Sequence, residues 1–409
     1  MYKKFATIVL ASIIISITGT SFADDLEIEE VDIEQIQEEI LQTAATPVKE
    51  PKINSKAAIV IDRESKRVLY SKNAYDKRAM ASTTKIMTAI IALENTRLEE
   101  EIIVSKKAAG VGGSRLGLKA GDKITMNDLL YGLMLRSGND AAAQIAQTIG
   151  GNYEGFAELM NKKAKELGLK DTHFVTPHGL DDPQHYTTAY ELALLTDYAL
   201  NNQKFSEIVS CKTKTILING QQRELYNTNE LLGSLNGING VKTGFTNNAG
   251  RCLVTSCTRN GENLISVVLG ADTKKYRTKD SIQIIEYAYS TYSQIDLKEK
   301  IEEYFKNWTK ENNIQIEKGK EEYVLPKLEA MPYEHYLVKE GEEEKIQINI
   351  ECETNMTAPV EANTYVGVIE VLIEDEEIME LELIIENKVE KKEPIDYWKE
   401  LWKVYSSYI

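Results

Sequence analysis

Ser82 and Lys85 stand three apart in Met80-Ala-Ser-Thr-Thr-Lys-Ile-Met-Thr-Ala89, at the start of an apolar run that predicts a helix to about Glu94. Residues i and i+3 share a helix face, so the hydroxyl and the amine can meet. A serine is a weak nucleophile until a base takes its proton, and a desolvated lysine can be that base. The helix N-terminus also favours the negative charge that grows as the hydroxyl attacks. The spacing alone equally fits a capping serine followed by a solvated lysine.

Two further motifs lie downstream. Met126, Leu129, Leu130, Leu133 and Met134 predict a helix that runs into Arg136-Ser-Gly-Asn-Asp140, with a second helix in 141–149. Ser137-Gly138-Asn139 then occupies a tight corner, where it can aim a hydroxyl and an amide into a cleft or simply form a capped turn. Lys242-Thr243-Gly244 leads into strands over 251–258 and 263–269, joined by a turn containing Asn260-Gly261. On an edge strand it would offer a charge, a hydroxyl and a bare backbone to a ligand lying alongside, with Gly244 permitting close approach.

Ser-x-x-Lys, Ser-x-Asn and Lys-Thr-Gly, in that order and at these separations, resemble the serine penicillin-recognising enzymes, the penicillin-binding proteins and class A β-lactamases. The runs Ala81–Thr88, Leu135–Ala142, Pro177–Asp182, Asn227–Asn229 and Val241–Thr246 narrow the likeness to the low-molecular-mass D-alanyl-D-alanine carboxypeptidases, peptidase family S11. The resemblance covers roughly residues 53 to 290. It implies an α+β fold, an antiparallel sheet flanked by helices, with the site between the sheet edge and a helical lobe. It further implies that Ser82 attacks the bond between the two terminal D-alanines of a peptidoglycan pentapeptide stem. Lys85 would take the proton, helped by burial and by the nearby Lys242, and Ser137 would relay it to the leaving amine. Asn139 would hold the substrate amide and the Lys85 amine. The N–H groups of Ser82 and Phe245 would form the oxyanion hole, and Lys242, Thr243 and Arg277 would fix the terminal carboxylate. Penicillins would acylate Ser82 and leave slowly. No cofactor is implied. Phe245 departs from the histidine that well-known members carry after Lys-Thr-Gly, which makes that part of the cleft wall apolar.

The rest of the chain bears on address and organisation. Lys3 and Lys4, an apolar run from Phe5 to Ile17 and Ser21-Phe22-Ala23 predict a signal peptide over 1–23 and export to the outer face of the cytoplasmic membrane or the wall; a retained anchor is the alternative. A formal charge of −16 argues against a nucleic-acid partner. Residues 24–52 are acidic and read as a solvated linker carrying a weak amphipathic pattern at Ile28, Val31, Ile33, Ile36 and Ile40, with a partner-binding helix as the alternative. Cys252 and Cys257 sit five apart on a predicted strand and so on opposite faces, which predicts free thiols. No Cys or His cluster has metal-ligand spacing. Three of the four histidines fall in the irregular stretch 172–188. A Ser/His/Asp triad through His178 or His185 lacks the Gly-x-Ser-x-Gly elbow, so these rings are expected to satisfy backbone groups.

The catalytic domain is expected over 53–290, followed by a β-rich accessory domain over 291–390 that serves as a spacer, with a strand at 345–350 and a hairpin of 365–373 with 378–385. Over 391–409, Ile395, Trp398, Leu401, Trp402, Tyr405, Tyr408 and Ile409 fall on one helical face. That stripe suits a membrane surface, or a helix docked on its own β-domain. The tail resembles the accessory domain and membrane-binding helix of the carboxypeptidases. Three competing readings of the site stay open. A β-lactamase is disfavoured because no Glu-x-x-x-Asn stands where a deacylating base belongs. A non-catalytic wall-binding module is disfavoured by the intact motif residues. A transpeptidase or endopeptidase would use the same motifs.

Overall fold

The computed structural model describes residues 31–43 and 49–407. The signal-peptide expectation, Ile28, Tyr408 and Ile409 lie outside them.

Five strands make one antiparallel sheet: β1 (Ala57–Asp62), β2 (Val68–Lys72), β3 (Ile238–Thr246), β4 (Gly250–Arg259) and β5 (Glu262–Ala271), in the order β2-β1-β5-β4-β3. Every residue of β1 is buried because both faces of the sheet are covered. Side chains alternate between those faces. Ala57, Ile59 and Ile61 join one core, with Ile265, Val267 and Leu269 of β5 beside them. Ala58 and Val60 join the other, with Leu264 and Val268.

The first core is roofed by a helical lobe: α2 (Lys85–Asn95), α3 (Met126–Leu135), α4 (Asn139–Gly150), α5 (Tyr153–Glu166), α6 (Ala189–Leu200) and α7 (Gln203–Ser210). The expected helices at 126–135 and after the Ser137 corner are thus present. The opposite face is covered by α8 (Lys274–Thr291) through Ile282, Ile284 and Ala288, and by α1 (Ile33–Thr43). This last contact corrects the reading of the acidic segment as solvated. Ile33 and Ile36 are buried beside α8, and Glu39 pairs with Lys279 at 3.2 Å. The stripe of isoleucines is legible locally; its partner surface, some 240 residues further on, is not.

Beyond α8 the chain enters a second domain with its own core. It contains β6 (Tyr292–Asp296), α9 (Leu297–Trp308), β7 (His335–Lys339), β8 (Ile346–Cys352), β9 (Thr364–Ile373) and β10 (Glu376–Ile385). β6 pairs with β7, while β8, β9 and β10 form a meander whose hairpin turns at Glu374-Asp375 with φ of 51° and 68°. Arg67 ties the domains: its guanidinium pairs with Glu342 at 2.8 Å and lies over the rings of Tyr292 and Tyr336. The four thiols are free.

The last helix, α10 (Pro394–Ser406), starts with a capping box between Glu393 and Asp396. It buries none of its residues, and Trp398 and Trp402 are 71% and 72% exposed. The helix is not docked on the β-domain. Among the described residues no helix is long and apolar enough to cross a membrane.

Candidate active site

Ser82 sits in one turn of 3-10 helix, Ala81–Thr84, that feeds directly into α2. In that winding residues i and i+3 eclipse, which brings Lys85 Nζ to 2.7 Å from Ser82 Oγ. The turn is held by its own hydroxyls: Thr83 Oγ1 donates to Met80 O at 2.6 Å and Thr84 Oγ1 to Ala81 O at 2.8 Å. Ala81, just before the serine, has φ of 49°, a left-handed conformation that costs a side-chain-bearing residue roughly 1–2 kcal/mol.

Lys85 is fully buried, and its amine also lies 2.8 Å from Asn139 Oδ1 and 2.8 Å from the carbonyl of His178. Both are pure acceptors. A neutral amine has two N–H groups to give them and one lone pair to turn to the Ser82 hydroxyl. Asn139 heads α4, and its Nδ2 donates to Gly112 O at 2.8 Å. The next residue, Asp140, is buried and accepts the N–H groups of Leu116, Gly117 and Leu118 at 2.8, 2.7 and 2.9 Å. It thereby holds the loop that approaches the site, a role that the sequence reading did not assign.

Ser137 occupies the corner between α3 and α4 as expected. It is buried at φ of 56°, and its hydroxyl has no hydrogen-bond partner among the described residues. Burying such a hydroxyl without a partner costs about 1–3 kcal/mol.

The histidines do serve backbone groups. His185 Nδ1 accepts from Val175 N at 2.9 Å, and its Nε2 meets Thr84 Oγ1 at 2.7 Å. Because the Thr84 proton is given to Ala81 O, Nε2 is the donor in that contact. His178 Nδ1 accepts from Leu180 N at 3.3 Å. Burial pushes His178 down to about 3, with the Lys85 charge and then His185 adding to it. Burial likewise pushes His185 down to about 4. Among the described residues neither ring hydrogen-bonds to Ser82, and His178 reaches the site through its backbone: its carbonyl on Lys85 is a contact that no residue type announces.

Lys242, Thr243, Gly244 and Phe245 lie on β3, an edge strand as expected. Lys242 is buried and donates to Thr243 O at 2.9 Å, and Thr243 Oγ1 meets Thr228 Oγ1 at 2.8 Å. Asn229 Nδ2 anchors the start of the strand on Gly240 O at 3.0 Å. A methyl group on Gly244 would lie 3.0 Å from Ser82 N and 3.2 Å from Ala81 Cβ and Thr83 N. Gly244 therefore lets the strand abut the serine's own turn, besides leaving room for a ligand. The Phe245 ring is backed by the Arg251 guanidinium, 3.8 Å from its centroid, so the wall expected to be apolar carries a cation behind it.

A cavity of about 110 Å³ opens between β3 and the helical lobe, and Ser82, Asn139 and Phe245 are in its wall together with Asp181, Thr246 and Asn247. Lys85 meets it through Ser82. Arg277 is not in that wall. It sits buried in the first turn of α8, and its guanidinium is engaged by Glu230, which also accepts from Thr278 Oγ1.

Comparison with known proteins accords with this geometry. Residues 44–273 match the family model of the D-alanyl-D-alanine carboxypeptidases, peptidase family S11, and residues 299–391 match that of the penicillin-binding protein 5 C-terminal domain. The chain is 33% identical to the D-alanyl-D-alanine carboxypeptidase DacF of Bacillus subtilis over 332 residues, 80% of this chain and 83% of that one. It is 31% identical to the carboxypeptidase DacD of Escherichia coli, over 82% of this chain and 86% of that one. Penicillin-binding protein 5 of Haemophilus influenzae superposes with a TM-score of 0.71 at 26% identity, covering 84% of this chain and all of that one. The DD-transpeptidase of Streptomyces K15 superposes with a TM-score of 0.57 at 33% identity, covering 59% of this chain and all of that one. With the family match spanning more than half of its length, and with relatives sharing both domains, this chain belongs to the D-alanyl-D-alanine carboxypeptidases of peptidase family S11, serine-type hydrolases among the penicillin-binding proteins.

Proposed function

We propose that the protein removes the terminal D-alanine from peptidoglycan pentapeptide stems through an acyl-enzyme on Ser82. The observation that carries this reading is the 2.7 Å approach of Lys85 Nζ to Ser82 Oγ, with Asn139 Oδ1 and His178 O placed to take the two N–H groups of a neutral amine. Lys85 accepts the hydroxyl proton as Ser82 Oγ bonds to the carbonyl carbon of the penultimate D-alanine. The oxyanion is met by the N–H groups of Ser82 and Phe245, whose segments abut at Gly244. The proton passes by way of Ser137 to the nitrogen of the departing D-alanine as the peptide bond breaks. The terminal carboxylate lies towards Lys242 and Thr243, with Arg277 contributing its charge from α8. Water then cleaves the ester and frees the shortened stem. A penicillin would acylate the same oxygen, and its leaving nitrogen would stay tethered.

The exposed Trp398 and Trp402 face supports a peripheral hold of α10 on the outer face of the membrane after export, with the β-domain as spacer.

The test uses the full chain in detergent with an acyl-L-Lys-D-Ala-D-Ala peptide. Release of free D-alanine that Ser82→Ala abolishes is the expected result. Transfer to an added amine in place of release would indicate a transpeptidase. Absence of both, together with no penicillin adduct by intact mass, would leave a binding module.

A further inference from the structure

The cavity beside Ser82 has one charged side chain in its wall that the chemistry above leaves unused, Asp181. Its Oδ1 accepts from Thr246 Oγ1 at 2.6 Å across the cavity. The residue is exposed, and among the described residues no lysine or arginine pairs with it. The other described wall residues are uncharged, His178 being held neutral by burial.

The strand direction says what would meet this carboxylate. A peptide with its terminal carboxylate at Lys242 and Thr243 and its scissile carbonyl between Ser82 and Phe245 runs antiparallel to β3. At about 3.3 Å of strand per residue, the residue before the two D-alanines then reaches Thr246 and Asn247, where Asp181 stands. In the acyl-L-Lys-D-Ala-D-Ala peptide that position holds a side chain with a free amine. We propose that Asp181 is a specificity determinant that selects peptides whose residue before the terminal D-alanines bears a free side-chain amine. This rests on the carboxypeptidase reading and deepens it.

A carboxylate at an open cleft attracts an ammonium weakly, enough for a preference of roughly two- to five-fold. The effect belongs to binding, so it would reside in KM and shrink with added salt.

The test compares two peptides on the full chain, Nα-acetyl-L-Lys-D-Ala-D-Ala and its Nα,Nε-diacetyl counterpart. We expect kcat/KM for D-alanine release to favour the free amine by roughly two- to five-fold at low salt. In Asp181→Asn that preference should vanish. The carboxamide oxygen still accepts from Thr246, so the cavity is kept while the charge is lost. Equal rates on both peptides for the unaltered protein would overturn the proposal. So would an Asp181→Asn variant that lowers both peptides by one factor, which is what a structural role predicts. No D-alanine from either peptide would defeat the carboxypeptidase reading itself, and this proposal with it.

Discussion

Asn139 turns its carbonyl oxygen, not its amino group, to Lys85, and Gly112 enforces that sense. The amide nitrogen donates to Gly112 O at 2.8 Å, which leaves Oδ1 facing Lys85 Nζ at 2.8 Å. Asn139→Asp keeps the shape but sets a negative charge against the amine, stabilising the ammonium that cannot act as a base. We expect acylation by penicillin at pH 7 to fall at least about tenfold and the acid limb of its pH profile to move up by roughly one pH unit or more. An unshifted limb would contradict the assignment of Lys85 as base.

Ser137 carries a left-handed backbone and a buried hydroxyl without a partner. Ser137→Ala removes the hydroxyl and should raise stability by about 1 kcal/mol while lowering kcat by about tenfold or more. Denaturant titration and peptide turnover read the two effects separately. A variant that is both less stable and fully active would show that the hydroxyl serves packing.

Gly244→Ala tests the contact between β3 and the turn that carries Ser82. The new methyl, 3.0 Å from Ser82 N, can be housed only by moving one segment off the other. A shift of about 1 Å at the reacting atoms costs on the order of 100-fold in rate, so a displacement of a few tenths of that should slow acylation by roughly three- to ten-fold. The acylation rate should fall while the unfolding midpoint changes little.

The two buried histidines make stability pH-dependent in a definite direction. His178 at about 3 and His185 at about 4 lie below the unfolded value of 6.5. Above 6.5 both states are neutral and the full stability is present. As pH falls below 6.5 the unfolded chain takes up protons that the folded one refuses, and stability is lost down to the folded values. At pH 5 the loss is about 2 kcal/mol per ring. Urea midpoints between pH 7 and 5 should fall accordingly, and less steeply in His185→Gln. The loop these rings brace delivers the His178 carbonyl to Lys85, so activity should fail along with it.

The exposed tryptophans of α10 can be tested with vesicles. Burying one large apolar side chain contributes roughly 1.5–3 kcal/mol, so replacing Trp398 and Trp402 by serine should weaken sedimentation with lipid by more than about 30-fold. Turnover of a soluble peptide should be retained.

The candidate site was legible because its motifs are residue types at short spacing. Ser82 and Lys85, the Ser137 corner and the Lys242 strand could be placed from the amphipathic helix before the corner and the Asn-Gly turn after the strand. What stayed hidden was contact between distant segments. Nothing in the run around His178 marks its carbonyl as a partner of Lys85, since every residue has one. Asp140 reads as a helix-start acid, yet it holds three backbone N–H groups of a loop more than twenty residues upstream. Arg277 could be counted to its position, but the Glu230 that holds it could not. The isoleucines of α1 advertised a face without saying what it would cover.

β3 closes one side of the five-stranded sheet, with no strand beyond it among the described residues. A peptide that pairs there is gripped through its own main chain, whatever its side chains are. Such a grip is generic in sequence but not in handedness. Inverting one residue from L to D exchanges the directions of its side chain and its α-hydrogen, and here one side of β3 is already occupied by the serine's turn, pressed to within a methyl group of Gly244. For a peptide bound along this sheet margin, chirality at its end would thereby meet the main-chain geometry of the edge as well as any enzyme side chain.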